Sequence, residues 1–263
     1  MATPIAGVYL PNAGLLWIPT LTIATIGAWL FMNNLTVATA SLKEQMVILK
    51  RKQNWVMSYI YIATFGSFIG YSAAFPLLIK TQFPEVTVAV AFLGPLVGSV
   101  IRPIGGILSD KVGGAKVTFW TLIAMCIAVL GVMYFVEQKN FAGFLAMFLA
   151  LFTLTGVGNG STYRTIASVF RAEKLSEAEG KGEAARALAL KAAGLEAGAA
   201  LGFIGGVGAV GGYLIPRGFG LSIAATGGPY LALQIFIAFY ITCIALNWWY
   251  YMRKSTVLGR SHV

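Results

Sequence analysis

Seven long apolar stretches divide the sequence, and they constrain its fold more than any other feature. A bilayer core about 30 Å thick is crossed by a helix of roughly 20 apolar residues. Charged residues make up only 11% of the 263 residues, whereas about 25% is usual in soluble domains. We therefore predict an all-α membrane protein with about seven transmembrane helices, at Gly14–Val37, Trp55–Leu78, Val86–Leu108, Val117–Val136, Phe141–Tyr163, Ala192–Ile215 and Pro229–Tyr251.

The spacing of these stretches predicts four regions. Residues 1–37 contain the first transmembrane helix, and residues 38–54 form a basic cytoplasmic connector. Residues 55–252 contain the other six helices, and residues 253–263 form a cytoplasmic tail. Since no charged residue precedes the first helix, we expect the chain to be the latter part of a longer membrane protein, or one of two complementary halves.

Lysine and arginine are distributed unequally between the two sides of the predicted bundle. Of the nineteen, fifteen fall in connections on one side, three fall on the other, and Arg102 alone lies within a stretch. Because cytoplasmic loops carry the excess of Lys and Arg, the amino terminus is predicted outside an inner (plasma) membrane and the carboxyl terminus in the cytoplasm. The net charge of +10 then reflects topology, and we expect no nucleic-acid partner.

The sequence contains none of the motifs that usually indicate an enzyme. Cys126 and Cys243 lie in apolar stretches, and the single histidine, His262, lies at the extreme end of the chain. No group of Cys, His and acidic residues has the spacing of a metal site, and no phosphate-binding Gly-Lys-Ser/Thr loop occurs. We therefore expect no catalytic activity, metal or cofactor.

Arg102 is the most informative residue. It lies about two turns before Asp110, and thus roughly 12 Å inside the apolar layer, where a guanidinium costs at least about 2.5 kcal/mol. Two interpretations follow: Arg102 binds an anion, or it extends to the membrane surface and meets Asp110. The first is favoured because the carboxylates all lie in loops or near the ends of predicted helices, at Glu44, Glu85, Asp110, Glu137, Glu173, Glu177, Glu179, Glu183 and Glu196.

No Asp, Glu or His lies near the middle of a predicted helix, and this bears on energy coupling. Proton-driven transport proteins commonly hold an Asp, Glu or His inside the bundle. This chain has none there, so a proton relay would have to come from elsewhere, whereas the exchange of one anion for another needs no such group.

Other polar and aromatic residues admit two interpretations each. Tyr61 and Phe65 are four residues apart and share a helical face, which suits either a planar ligand or simple aromatic packing. Asn159 and Ser161 could donate to an oxyanion or could hydrogen-bond to neighbouring helices.

Glycine is unusually abundant, with 31 residues. Gly194, Gly198, Gly202 and Gly206 recur every fourth residue and give one helix face that permits close approach of another helix. The dense glycines of residues 202–212 are consistent either with that packing or with backbone that lines a cavity.

Several motifs resemble a known family. Residues 105–116 (GGILSDKVGGAK) resemble the cytoplasmic signature loop of the major facilitator superfamily. Four further motifs resemble the nitrate/nitrite porter family of that superfamily: residues 61–76 (YIATFGSFIGYSAAFP), 80–84 (KTQFP), 158–164 (GNGSTYR) and 202–216 (GFIGGVGAVGGYLIP). The last of these resembles the second glycine-rich signature of the family. The resemblance covers most of residues 50–252, and it implies the six-helix carboxyl-terminal half of a major facilitator fold plus the preceding helix.

The resemblance also implies a function and a site. Nitrate or nitrite would be transported by alternating access, as nitrate/nitrite antiport or as proton-coupled nitrate symport, together with an amino-terminal half. A non-transporting fragment or partner subunit of a full-length porter is the other possibility. Arg102 would bind the anion with a second arginine from the missing half, and the residues around it would be Tyr61, Phe65, Asn159, Gly205, Gly206 and Gly208. The conformational loop would include Gly106, Asp110, Lys111, Gly113 and Gly114.

Overall fold

The computed structural model describes residue 15, residues 17–32 and residues 41–253, which fall into two compact units divided after Ala40. The first unit contains one described helix, α1 (Trp17–Phe31), which is 15 residues long and apolar and buries no residue. The remainder of the predicted span Gly14–Val37 and the tail from residue 254 lie outside the described residues.

The second unit consists of helices connected by short turns. They are α2 (Leu42–Gln45), α3 (Lys52–Tyr61), α4 (Ser67–Gln82), α5 (Leu93–Val112), α6 (Gly114–Glu137), α7 (Phe141–Glu177), α8 (Glu183–Ala209), α9 (Gly211–Thr226) and α10 (Tyr230–Asn247). A π-helical turn, Ile62–Gly66, joins α3 to α4, and another, Trp248–Met252, follows α10. Two 3₁₀ turns, Met46–Lys50 and Val88–Phe92, precede α3 and α5.

Six continuous helical segments are long and apolar enough to cross a membrane: Lys52–Gln82, Val88–Val112, Gly114–Glu137, Phe141–Glu177, Glu183–Thr226 and Tyr230–Met252. With the shorter α1, and with no strand among the described residues, they confirm the predicted class, an all-α multi-pass membrane protein with about seven helices. The division into four regions stays a prediction.

Three boundaries differ by nine residues or more from those predicted. Helix α7 continues 14 residues beyond Tyr163 to Glu177, because its polar last turns remain helical after the apolar stretch ends. The sixth span starts at Glu183, breaks at Val210 and ends at Thr226. Arg217, which lies two residues beyond the predicted end of this span at Ile215, therefore lies within α9. The predicted loop of residues 105–116 is helical except at Gly113, whose φ of +96° suits glycine.

Aromatic rings fill the core between α4, α7 and α9. Phe75 stacks on Phe148 with ring centroids 4.5 Å apart and planes 7° apart. Tyr71 is fully buried, and its hydroxyl hydrogen-bonds to that of Tyr240 on α10. This packing fixes α4 and α7, and each of these two helices contributes a residue to the polar site described below.

Glycines allow α5 and α7 to cross closely. A Cβ built on Gly105 would lie 2.2 Å from the carbonyl oxygen of Val157, and one built on Gly160 would lie 2.1 Å from that of Arg102. Because no side chain fits at these points, small residues set the separation of the two helices. The crossing places the backbone of Arg102 directly against α7.

The predicted glycine stripe of Gly194, Gly198, Gly202 and Gly206 does not take part in such packing. A Cβ built on any of the four would have no atom within 4 Å among the described residues. The spacing therefore predicted a helix face of small residues correctly, but the close glycine contacts among the described residues lie elsewhere, as at Gly105 and Gly160 between α5 and α7.

We expect Gly160→Ala to destabilise the chain by about 1–3 kcal/mol, because the added methyl group separates α5 from α7. The measurement is the thermal unfolding midpoint in detergent. Gly198→Ala is the matched control, since its methyl group meets open space, and it should leave the midpoint unchanged or raise it. Equal midpoints for the two variants would contradict the close crossing.

Ion pairs join the segment before α3 to α7 and α8. Arg51 pairs with Glu177 and Glu196, each at 3.1 Å, and Lys174 pairs with the same two carboxylates at 3.0 and 3.1 Å. The hydrogen bond to Glu196 is the main reason that the pKa of Arg51 is raised. Glu196, predicted near a helix end, lies in the interior of α8, because that helix starts nine residues earlier than expected.

Candidate functional site

Arg102 lies on α5 and is partly buried between α7 and the π-helical turn. It has no carboxylate within 4 Å in the described part of the chain. Its guanidinium carbon lies 4.2 Å from the ring centroid of Phe68 and 5.6 Å from that of Phe65. The cation is thus stabilised by aromatic faces, which do not neutralise its charge.

The amide of Asn159 fixes the direction of this guanidinium. In the amide orientation that satisfies both neighbours, its oxygen accepts hydrogen bonds from Arg102 Nε at 2.9 Å and Nη2 at 3.0 Å. Its NH₂ group donates to the Tyr61 hydroxyl at 2.9 Å. Asn159 is only 5% exposed, so this neutral side chain is a buried link between the guanidinium and the phenol.

One edge of the guanidinium remains open. An arginine has five N–H bonds, and the Asn159 oxygen accepts one from Nε and one from Nη2. Along the described chain, no other acceptor is within hydrogen-bond distance of Arg102. The Nη1 and Nη2 atoms therefore present two parallel N–H bonds, the geometry that binds a planar oxyanion through two oxygens.

Tyr61, Phe65 and Phe68 form the aromatic wall of this site. The rings of Tyr61 and Phe65 stack with centroids 5.0 Å apart and planes 23° apart. The π-helical turn Ile62–Gly66 separates Tyr61 from Phe68, and such turns are frequent at functional sites. The predicted shared face of Tyr61 and Phe65 is confirmed.

Phe68 was not predicted from the sequence, although its ring is the one closest to the guanidinium. Its position, seven residues after Tyr61 and three after Phe65, continues the same helical face. That spacing was the available signal.

The glycine-rich segment has two different faces. A Cβ on Gly208 would lie 2.8 Å from the ring of Tyr61 and 3.2 Å from that of Phe65, and one on Gly211 would lie 2.5 Å from the Cα of Gly66. Gly208 therefore borders the aromatic wall. A Cβ on Gly205 or Gly206 would have no described atom within 4 Å, so the roles of these two residues stay predictions.

Of the two polar residues predicted on α7, Asn159 lies at the site and Ser161 joins neighbouring helices. Ser161 donates to the carbonyl oxygen of Gly114 at 2.9 Å and shares a hydrogen bond with Thr118, so it joins α7 to α6. Only Asn159 of the predicted pair is at the site.

The signature-loop residues lie at the end of α5 and the start of α6. Asp110 forms a bidentate ion pair with Arg164 of α7, and Gly106 lies beside the stem of Arg164. The alternative in which Arg102 extends toward Asp110 is therefore wrong, because Arg164 already pairs with that carboxylate. Lys111, Gly113 and Gly114 surround the connection between the two helices.

Comparison with known proteins identifies relatives over nearly the whole chain, although no protein-family profile matches it. The nitrate/nitrite transporter NarU of Escherichia coli (strain K12) is 44% identical over 252 residues, which cover 94% of this chain and 54% of the relative. The NarU of Salmonella typhimurium is 42% identical with the same coverage. The probable nitrate/nitrite antiporter NarK2 of Thermus thermophilus is 33% identical over 256 residues, covering 94% of this chain and 53% of the relative. The chain thus spans about half the length of these curated relatives.

Proposed function

Because the chain belongs to the nitrate/nitrite porter family of the major facilitator superfamily, we propose that it forms the carboxyl-terminal half of a carrier of nitrate and nitrite. The observation that supports this function is the free edge of the Arg102 guanidinium, where Nη1 and Nη2 present two parallel N–H bonds. No described carboxylate pairs with this arginine. Nitrate and nitrite are planar anions with oxygens spaced for such an edge.

The surroundings of Arg102 favour a small anion over a fixed counter-ion. Phe65 and Phe68 lie beside the guanidinium, and such apolar surroundings strengthen its attraction for an anion. The Tyr61 hydroxyl accepts from Asn159, so its own proton is free to be donated to a bound oxygen. The lack of a side chain at Gly208 lets the rings of Tyr61 and Phe65 pack directly against α8.

A complete carrier would require a complementary half. Alternating access moves two helix bundles against each other around a central site, and the chain spans about half the length of its relatives. We propose that an amino-terminal half supplies further anion contacts. The proposed topology has the carboxyl terminus in the cytoplasm and the amino terminus outside the inner membrane, from the distribution of Lys and Arg.

Reconstitution tests this function. The chain is co-expressed with the amino-terminal half of the Escherichia coli NarU relative, and nitrate uptake into proteoliposomes is measured against each half alone. We expect uptake only with the pair. Absence of flux in every pairing, combined with co-purification of the chain with a full-length porter, would instead support a partner subunit without transport activity of its own.

Exchange of nitrate for nitrite is the proposed mode of transport. No His, Asp or Glu lies within 4 Å of Arg102 among the described residues, so this half offers no proton acceptor at the site. We expect nitrate uptake into vesicles loaded with nitrite to continue without a pH gradient and to be insensitive to an uncoupler. Uptake that instead follows external pH at fixed nitrite would indicate proton symport.

A further inference from the structure

A polar cavity lies at the junction of α5 and α6, apart from the Arg102 site. Its volume is about 400 Å³, and its lining includes Ser109, Lys111, Lys116 and Ser168. Only Gly113 separates the two helices, both of which belong to membrane-spanning segments. The cavity therefore lies at a membrane surface, where lipid headgroups are present.

The charges around this cavity select an anion. Lys111 and Lys116 contribute two positive charges to its lining. Asp110 also lines it, but Arg164 binds both oxygens of that carboxylate. The net charge at the cavity is thus positive, which disfavours a metal cation.

The start of α6 supplies hydrogen-bond donors. Gly113, the residue before this 24-residue helix, provides no side-chain cap. The first amides of a helix have no intrahelical acceptor, and over the described ranges none is provided for those of residues 114–116. The carboxyl end of α5 places a partial negative charge near the cavity. Lys111, in the last turn of α5, offsets this charge.

Ser109 provides an independent indication of a ligand. It is only 6% exposed, and within the described segments its hydroxyl has no hydrogen-bond partner. A Cβ built on Gly114 would lie 2.5 Å from Ser109 Oγ, so the hydroxyl points to the start of α6. The oxygen is not among the enclosed polar atoms that lack a partner, so it opens onto the cavity and can donate to an acceptor bound there.

We propose that this cavity binds a phosphate group, carried by an acidic phospholipid or free in solution. A phosphate offers several acceptor oxygens, which match the Ser109 hydroxyl, the two lysines and the amides of α6. Basic pockets between transmembrane helices bind acidic headgroups in this way. Leu108 and Val112, both exposed, lie beside the cavity and are suited to contact with acyl chains.

The test uses the full chain in a neutral detergent, with short-chain phosphatidylglycerol and inorganic phosphate as separate probes. We expect one or both to raise the thermal unfolding midpoint in a saturable manner. A rise with the lipid alone identifies a headgroup site, and a rise with both identifies a site for phosphate itself. Phosphatidylcholine is the neutral-lipid control.

Variants connect the effect to the cavity. Lys111→Gln with Lys116→Gln should weaken the apparent affinity roughly 30-fold, and Ser109→Ala should weaken it with both lysines intact. The matched control, Lys80→Gln with Lys139→Gln, removes two exposed lysines elsewhere and should retain the wild-type affinity. The proposal is overturned if neither probe shifts the wild-type midpoint, or if the control loses as much affinity as the cavity variants.

Discussion

Replacing Asn159 by aspartate is expected to weaken nitrate binding more than about 100-fold. The substitution preserves shape but puts a carboxylate 2.9–3.0 Å from Nε and Nη2 of Arg102. Opposite charges at about 4 Å attract by about 4 kcal/mol at an effective dielectric constant of about 20, and this ion pair would neutralise the cation that the anion needs. Nitrate affinity of the reconstituted pair of halves is the measurement.

Two controls separate charge from shape. Asn159→Ala removes the acceptor without adding charge, so we expect a loss of only about tenfold, of the size of one hydrogen bond to a charged group. Asn140→Asp makes the same chemical change at the start of α7, where the side chain accepts from the amide of Gly143, and should have no effect. If Asn159→Ala were as damaging as Asn159→Asp, the neutrality of this residue would not be its important property.

Arg102→Lys is expected to abolish or greatly weaken transport, with nitrate affinity about 10–100-fold lower. Lysine keeps the positive charge but lacks the planar pair of donors, and it cannot bond to Asn159 through two nitrogens. Nitrate counterflow in proteoliposomes measures the loss.

Arg102→Ala should be more damaging than Arg102→Lys, because it also removes the charge. Arg217→Lys is the matched control, since Arg217 lies over the ring of Tyr213 on α9. Wild-type transport by Arg102→Lys would remove Arg102 from the site.

Much of the fold follows from composition and apolar length. The number and order of the helices could be predicted because a bilayer fixes the length of an apolar helix. The carboxyl end of α7 and the amino end of α8 could not, since their polar turns extend beyond the apolar stretches. At α7 the last turn is stabilised by the ion pair Arg51–Glu177. The break at Val210 also has no periodic signal, because glycines surround it on both sides.

The sequence predicted the positive charge of the candidate site but not the hydrogen bonds that Arg102 makes there. Arg102 stands out because a charge in an apolar stretch demands an explanation. Its link to Asn159 depends on the close crossing of α5 and α7 at Gly160, which is a tertiary property. Likewise, the spacing around Gly198 shows that a helix face carries small residues but not whether another helix packs against it, and no described atom lies within 4 Å of a Cβ built there.

The most direct measurement of the central proposal is the infrared difference spectrum of bound nitrate. An isolated, symmetric nitrate has a degenerate N–O stretching mode; water splits this mode modestly, and two oxygens that accept from one guanidinium split it further. We expect a split band, identified by its shift with ¹⁵N-nitrate, in the reconstituted pair of halves, and its loss in Arg102→Ala. The same split band in Arg102→Ala would show that another group binds the anion, and would contradict the assignment of Arg102.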